Sequence, residues 1–180
     1  KTEPFNYDIL ICDADPSKRD DLNDSTGRAS KKECVLPDVM LSSLKRINPT
    51  IEENKIKEIV KTLRQDYTGT DIVDTNYKLY RQIRNNLKIT VRRNGKEDFD
   101  FVKLIDFEHP ENNTFTAVSQ MWIQGKVYYR RPDILIFVNG MPIVFIELKN
   151  SIVKIEEAYN KNLQDYLRDI PNLFAFNQIC

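Results

Sequence analysis

Three charged residues, Asp133, Glu147 and Lys149, border the apolar runs of the segment RRPDILIFVNGMPIVFIELKN, residues 130–150. Two carboxylates that converge on one point can bind a hard divalent cation, because Mg²⁺ prefers oxygen ligands and usually keeps waters and substrate phosphate in its shell. Such a metal lowers the pKa of a bound water and neutralises charge on a phosphorane-like transition state. A neighbouring ammonium group can orient the attacking water or stabilise that charge. The three residue types therefore predict phosphodiester hydrolysis.

The turn between the two apolar runs decides whether these side chains can meet, because side chains alternate between the two faces of a strand. A plain two-residue turn at Asn139-Gly140 leaves Asp133 and Glu147 on opposite faces. A three-residue loop places Asp133 and Glu147 on one face as diagonal neighbours across the two strands, with roughly 7–8 Å between their backbone positions. A β-bulge would also restore the parity. A shared site therefore requires an odd-length loop or a bulge.

Each charge taken alone has an ordinary explanation. A Glu-x-Lys pair is common, and Asp133 follows a proline at the start of a strand, where a charged side chain can simply meet solvent. The runs between the charges are apolar on both faces, as expected of central strands that are covered on both sides. A charge that borders such a core is costly if it loses its water without gaining a partner, which favours a shared site.

The rest of the chain predicts the elements that position this hairpin. Predicted strands cover residues 6–12, 87–93, 100–107 and 114–123. Four helices are predicted. The first covers residues 36–47, and the second follows a capping box formed by Thr50 and Glu53. The third covers residues 74–87 with Asp74 as the cap, and the last covers residues 152–169. Residues 13–32 read as a long polar loop. This order predicts an α/β fold with a central mixed β-sheet flanked by helices on both faces.

Composition excludes several classes of protein. The 27 basic and 27 acidic residues give a formal net charge of zero, which argues against a surface coated for nonspecific nucleic-acid binding but leaves a local basic surface open. No apolar run approaches the roughly 20 residues that span a bilayer, so we expect a cytoplasmic protein without a membrane segment. Its three cysteines lie far apart without a Cys-x-x-Cys pair, which predicts reduced thiols rather than a zinc site. The first and last residues suggest a piece cut from a longer chain.

Residues 130–150 resemble the nuclease motif of the N-terminal domain of type I restriction enzyme R subunits, members of the PD-(D/E)xK nuclease superfamily. Three further segments resemble that family in the same order, namely LSSLKRINP (41–49), VKLIDFEHPENNTFTAVSQ (102–120) and DIPNLFAFNQ (169–178). The resemblance implies a PD-(D/E)xK restriction-endonuclease-like core. It covers residues 36–180 as a nuclease domain and leaves residues 1–35 as a peripheral strand and polar loop.

The resemblance also implies roles for single residues. Asp133, Glu147 and Lys149 would be catalytic, and Mg²⁺, for which Mn²⁺ can substitute, would be held by Asp133, Glu147 and the backbone carbonyl of Leu148. The implied reaction is cleavage of double-stranded DNA without sequence specificity of its own. It would follow ATP-driven translocation by a motor downstream of this chain, so ATP would not bind here. Methyltransferase and specificity subunits would be partners.

The family's QxxxY motif is only partly matched. In the segment NLQDY, Tyr166 stands at the tyrosine position, but Asn162 occupies the place of the glutamine. Residues four apart share a helix face, so both side chains can point at the hairpin, and asparagine keeps the amide chemistry on a shorter stem. Tyr166 could equally be a core aromatic residue. Arg130 and Arg131 are candidates for DNA phosphate contacts, or they are plain surface charges.

Three functions compete on this sequence. The first is a Mg²⁺-dependent endonuclease domain of a type I restriction enzyme. The second is a catalytically silent domain of nuclease fold that docks or couples the motor to the methyltransferase core. The third is a different metal-dependent nuclease of the same superfamily, such as a DNA repair enzyme or a stand-alone restriction enzyme. The intact set of Asp133, Glu147 and Lys149 favours an active nuclease over the silent module.

Overall fold

A four-stranded mixed sheet lies at the centre of the fold, as the order of elements predicts. The computed structural model of the chain describes residues 6–148 and 163–180. The strands of the sheet lie side by side in the order β1 (Tyr7–Ile11), β4 (Phe115–Ser119), β7 (Ile134–Val138) and β8 (Met141–Ile146). β1 runs parallel to β4, whereas β4 with β7 and β7 with β8 are antiparallel.

Two small ribbons, five α-helices and two single-turn 3-10 helices, Pro16–Lys18 and Pro110–Asn112, complete the described part of the chain. The ribbons are β2 (Leu87–Arg93) with β3 (Lys96–Val102), and β5 (Ile123–Gln124) with β6 (Tyr129–Arg130). The helices are α1 (Pro37–Ile47), α2 (Glu53–Leu63), α3 (Ile72–Asn85), α4 (Gln164–Asp169) and α5 (Pro171–Phe174). No helix in the described ranges is long and apolar enough to cross a membrane. The predicted last helix ends at Asp169 as expected, while its stretch 152–162 lies outside the described residues.

Three helices form where the apolar spacing predicts them, but two of the predicted caps are wrong. The capping box at Thr50 does not form, because a turn closed by the Ile51 N–H and the Asn48 carbonyl precedes the helix, which begins at Glu53. Asp74 is not the cap of α3 either. The Asp71 side chain accepts hydrogen bonds from the backbone N–H groups of Val73 and Asp74, so the cap lies three residues before Asp74 and the helix begins at Ile72.

Two predicted strands end earlier than expected, and β3 also begins four residues earlier, at Lys96 rather than at residue 100. β3 ends at Val102, because the Asn48 side chain binds both backbone groups of Lys103 and turns the chain out of the ribbon. The residues that follow it, Leu104 and Ile105, are buried among the helices instead. The predicted strand 114–123 is also broken, since β4 ends at Ser119 and Gln120 has a left-handed backbone with φ of 56°.

One face of the sheet is buried deeply. Along β7 the side chains alternate, with Leu135 and Phe137 fully buried and Ile134, Ile136 and Val138 half-buried. The deeply buried side chains pack with residues of the helical segments near both ends of the chain, namely Leu36, Val39, Tyr166, Ile170, Leu173 and Phe174. A second cluster joins α1, α2 and α3 to the start of β8 through Met141. Hydrophobic burial therefore fixes the sheet to the helices along this face.

The polar loop 13–32 is anchored by buried charges. Asp24 accepts hydrogen bonds from Arg28 at 2.7 Å and from Lys31 at 2.5 Å, and the side chain of Asp24 is only 8% exposed. Burial alone would raise the pKa of Asp24, but the hydrogen bonds from Lys31 and Thr26 and the charge of Arg28 lower that pKa to about 2. Arg28 also donates to the carbonyls of Glu33 and Trp122, which ties the loop to the sheet.

Candidate active site

The β7–β8 hairpin contains both a two-residue turn and a bulge. Val138 pairs with Met141 across Asn139 and Gly140, whose φ angles of 50° and 78° are those of a type I′ turn. Two pairs further from the turn, Ile136 lies opposite Val144, so β8 contains one extra residue there. The parity that a shared site requires is therefore restored by a bulge, and the alternative of a three-residue loop is wrong.

Local chemistry explains the extra residue, Ile143. Pro142 has no backbone N–H and is tolerated next to a bulge, where the regular ladder is interrupted. Ile143 and Val144 are consecutive and both half-buried, as expected when two residues of one strand oppose one residue of its partner. Beyond the bulge, Phe145 is buried opposite Leu135, so the alternation of faces resumes in step with β7.

The turn itself is anchored on both sides. The buried Asn139 side chain donates to the Leu104 carbonyl at 2.9 Å and accepts from the Thr114 N–H at 2.8 Å. Gly140 lies against the residues that begin α1, and a Cβ atom there would come within 2.5 Å of the Leu36 carbonyl oxygen. Glycine is therefore required by close approach as well as by its positive φ. Because the turn is held in place, the register of both strands is held too.

The candidate residues lie at the ends of the strands opposite the Asn139-Gly140 turn. β4 ends, β7 begins and β8 ends on this side of the sheet, because β7 is antiparallel to both of its neighbours. Extending the register by one pair beyond Ile134 and Ile146 places Asp133 directly opposite Glu147, on the same face. Asp133 Oδ2 accepts a hydrogen bond of 2.7 Å from the Leu148 N–H, which confirms that the strands remain adjacent here.

Gln120 is a site residue that the sequence analysis missed. Its side-chain Nε2 donates to Asp133 Oδ1 at 3.0 Å, and its backbone N–H donates to the Asp133 carbonyl at 3.0 Å. Asp133 is therefore held from both sides, by Gln120 next to β4 and by Leu148 next to β8. The glutamine lies in a segment that resembles the restriction family, but nothing in its residue type or spacing signals a contact with a residue 13 positions away.

Tyr166 combines the two roles that the sequence leaves open. The ring is buried and meets Phe145 edge-on, with 5.1 Å between the ring centroids. Its Oη atom lies 3.1 Å from Glu147 Oε2 and 3.2 Å from the Arg131 carbonyl oxygen. Burial raises the pKa of Tyr166, and the charge of Glu147 raises it further, so the hydroxyl keeps its proton at neutral pH. It can donate that single proton to either oxygen.

The two arginines differ in their surroundings. Arg130 forms an ion pair with Asp169 at 2.5 Å and lies 3.4 Å from Asp165. Arg131 donates to the Ala14 carbonyl, and its guanidinium lies 5.2 Å from the Trp122 ring. Contact with DNA phosphates stays a prediction for both residues. Arg130 would have to share its charge with two carboxylates, which makes Arg131 the better candidate.

The donor set fits the cation that the sequence predicts. Two carboxylates and a backbone carbonyl are oxygen ligands, which Mg²⁺ prefers, and waters complete its shell. Within the described ranges no three His, Cys, Asp or Glu side chains cluster as a soft or all-protein metal cage would require. Lys149 and Asn162 lie outside the described residues, and the Leu148 carbonyl stays a predicted ligand.

The chain is similar to endonuclease subunits of type I restriction enzymes. The type I restriction enzyme HindI endonuclease subunit of Haemophilus influenzae is 33% identical over 148 residues, which are 80% of this chain and 14% of that protein. The putative type I restriction enzyme MjaIXP endonuclease subunit of Methanocaldococcus jannaschii is 32% identical over 162 residues, 84% of this chain and 15% of that protein. The chain thus spans a small fraction of the length of these relatives.

The family to which this chain belongs follows from a match along nearly the whole sequence. A family model described as the type I restriction enzyme R protein N terminus matches residues 5–180. That range includes both carboxylates of the candidate site, the bulged hairpin and the helix with Tyr166. The chain belongs to the type I restriction enzyme R protein N-terminal family, as the resemblance of residues 130–150 predicts.

Proposed function

We propose that this chain is a Mg²⁺-dependent endonuclease domain that hydrolyses phosphodiester bonds of double-stranded DNA. The observation that carries the proposal is the bulged hairpin, whose register, extended by one pair beyond Ile134 and Ile146, would set Asp133 opposite Glu147 on one face. The names of the relatives, endonuclease subunits of type I restriction enzymes, support a nuclease role in general. The mixed sheet with both acids at one edge is also what a PD-(D/E)xK core would require.

Each residue of the proposed site has a distinct task. Asp133, Glu147 and the Leu148 carbonyl would hold Mg²⁺, which when bound supplies an acidified water and positive charge beside the scissile phosphate. Lys149, two residues beyond Glu147, would orient the attacking water through its ammonium group. Tyr166 would hold the Glu147 carboxylate through a hydrogen bond, at the observed separation of 3.1 Å. Mn²⁺ could replace Mg²⁺, because both accept oxygen ligands.

The activity of the longer protein is part of the proposal. Its relatives are type I restriction endonuclease subunits about six times as long, since the 148 and 162 matched residues are 14% and 15% of two of them. We propose that a motor in the longer chain uses ATP to translocate DNA before this domain cuts it without sequence preference. Methyltransferase and specificity subunits would then be partners in one complex.

Cleavage of supercoiled DNA by the full R subunit, in its assembled complex with ATP and Mg²⁺, tests the assignment. We expect Asp133→Asn and Lys149→Ala each to reduce cleavage by about 100-fold or more, because each removes a ligand or a charge needed at the transition state. ATP hydrolysis should continue, which shows that the complex is intact. Lys61→Ala, on the exposed face of α2, is the matched control.

The same measurement separates the competing functions. A catalytically silent docking module predicts that Asp133→Asn and Lys149→Ala cleave DNA as fast as the wild type, and that result would end the catalytic assignment. A different nuclease of the superfamily predicts cleavage that needs neither ATP nor the partner subunits. Loss of cleavage in both variants, with ATP hydrolysis retained, supports the type I endonuclease.

A further inference from the structure

Gln120 occupies a backbone conformation that its residue type does not favour. The residue follows the last residue of β4, Ser119, and has a φ of 56°, in the left-handed region. Glycine or asparagine normally occupies such positions, because a Cβ atom lies too close to the following carbonyl oxygen and only glycine lacks it, while asparagine offsets the cost by local hydrogen bonds. Within the described residues, the Gln120 side chain donates a hydrogen bond to Asp133.

The contact completes a clamp around one carboxylate. The amide Nε2 of Gln120 donates to Asp133 Oδ1 at 3.0 Å, while the Leu148 N–H donates to Oδ2 at 2.7 Å. An ionised carboxylate accepts hydrogen bonds only, so the amide must present its NH₂ group rather than its oxygen to Asp133. Each carboxylate oxygen has two lone-pair directions, so one on each oxygen is still available to a cation.

We propose that Gln120 is a positioning residue that fixes the Asp133 carboxylate in the orientation from which it binds a divalent cation. This inference rests on the proposed function, because it takes Asp133 as a metal ligand. Partners that orient a ligating carboxylate raise metal affinity, and their removal typically weakens binding roughly 10- to 100-fold. Gln120 does not touch the reacting atoms in this arrangement and acts through Asp133 alone.

Two variants separate the effect of the Gln120 side-chain amide from the effect of its left-handed backbone. Gln120→Gly removes the side chain and suits the left-handed backbone, so the thermal midpoint should stay equal or rise. Gln120→Met keeps the bulk of the side chain but has no donor. We expect both variants to bind Mn²⁺ roughly 10- to 100-fold more weakly than the wild-type chain, measured by the electron paramagnetic resonance signal of free Mn²⁺. The readout does not depend on DNA cleavage.

Asn94→Gly is the matched control. Asn94 also has a left-handed backbone, with φ of 52°, but it lies in the turn between β2 and β3. Its replacement should leave Mn²⁺ affinity unchanged. Wild-type affinity in either Gln120→Gly or Gln120→Met overturns the inference, because the amide donor is then dispensable.

Asp133→Asn distinguishes a failure of the Gln120 inference from a failure of the proposed metal site on which it rests. If Asp133→Asn abolishes Mn²⁺ binding while the Gln120 variants bind as the wild type does, the metal site stands and only the role of Gln120 is wrong. If Asp133→Asn binds Mn²⁺ normally, or the wild-type chain binds none, the metal site itself is wrong and both proposals fall.

Discussion

Tyr166 joins the hydrophobic core to the candidate site through a single oxygen atom. Its ring packs against Phe145, so the residue would be needed for stability even without its hydroxyl. The hydroxyl lies within hydrogen-bond distance of Glu147, which no aliphatic or phenyl side chain could replace. The core role and the site role therefore belong to different atoms of one side chain, and a substitution that removes only the oxygen can separate them.

Tyr166→Phe is that substitution. We expect it to cost only about 0.5–1.5 kcal/mol of unfolding free energy, because the ring and its packing remain and one hydrogen bond is lost. DNA cleavage by the full subunit should fall roughly 10- to 100-fold, since Glu147 loses the partner that orients it. Tyr128→Phe, at an exposed tyrosine, is the control. Unchanged cleavage would leave Tyr166 as a core residue alone.

At the scale of elements, the bulge in β8 lets a two-residue turn coexist with a shared site. Ile143 is the extra residue. Without it, Pro142 and Val144 would be consecutive opposite Phe137 and Ile136, and the same pairs would form a regular hairpin. Deleting Ile143 should therefore keep Asp133 opposite Glu147. Inserting one alanine between Ile146 and Glu147 should instead move Glu147 to the other face of the sheet.

Cleavage by full subunits that carry these length changes measures the effect. We expect the Ile143 deletion to retain most of the activity and the alanine insertion to lose about 100-fold or more, because small displacements of a reacting group are costly. Thermal unfolding checks that both variants fold. If the deletion destroys activity while the insertion retains it, the parity argument for the site is wrong.

Sequence periodicity could predict the helices, the mixed sheet and the parity condition, because each depends on local spacing. It could not decide between a loop and a bulge, since both satisfy the parity condition and differ only in how β7 and β8 pair. Gln120 was missed for the same reason. Its contact with Asp133 exists only after β4 and β7 pair. The misplaced helix start at Asp74 differs, because Asp71 was an equally good cap within the sequence.

At the scale of the whole molecule, the loop 13–32 is held by one carboxylate shared between two buried cations. We expect Asp24→Asn to lower the unfolding free energy at pH 7 by about 3–5 kcal/mol, because it leaves Arg28 and Lys31 buried without a counter-charge. Asp13→Asn, at an exposed aspartate in the same loop, should change the unfolding free energy little. Urea unfolding of the three proteins measures both differences.

Because the pKa of Asp24 is lowered, the difference in unfolding free energy between the wild type and Asp24→Asn should depend on pH. A carboxyl whose pKa falls from 3.8 when unfolded to about 2 when folded stabilises the chain fully above pH 4. That stabilisation is lost as the pH falls through about 2. The gap in unfolding free energy between wild type and Asp24→Asn should therefore be constant from pH 7 to pH 5 and narrow towards pH 2. A gap that widens on acidification would contradict this account.

The parallel pairing of β1 with β4 has a consequence for any shortened form of the protein. A chain that begins at residue 36 lacks β1, and β4 then becomes the outer strand of the sheet. Its backbone N–H and C=O groups would be free to recruit a strand from another molecule, which is how soluble sheets begin to aggregate. β1 therefore covers the backbone groups of β4, the strand that ends at Ser119 beside the candidate site.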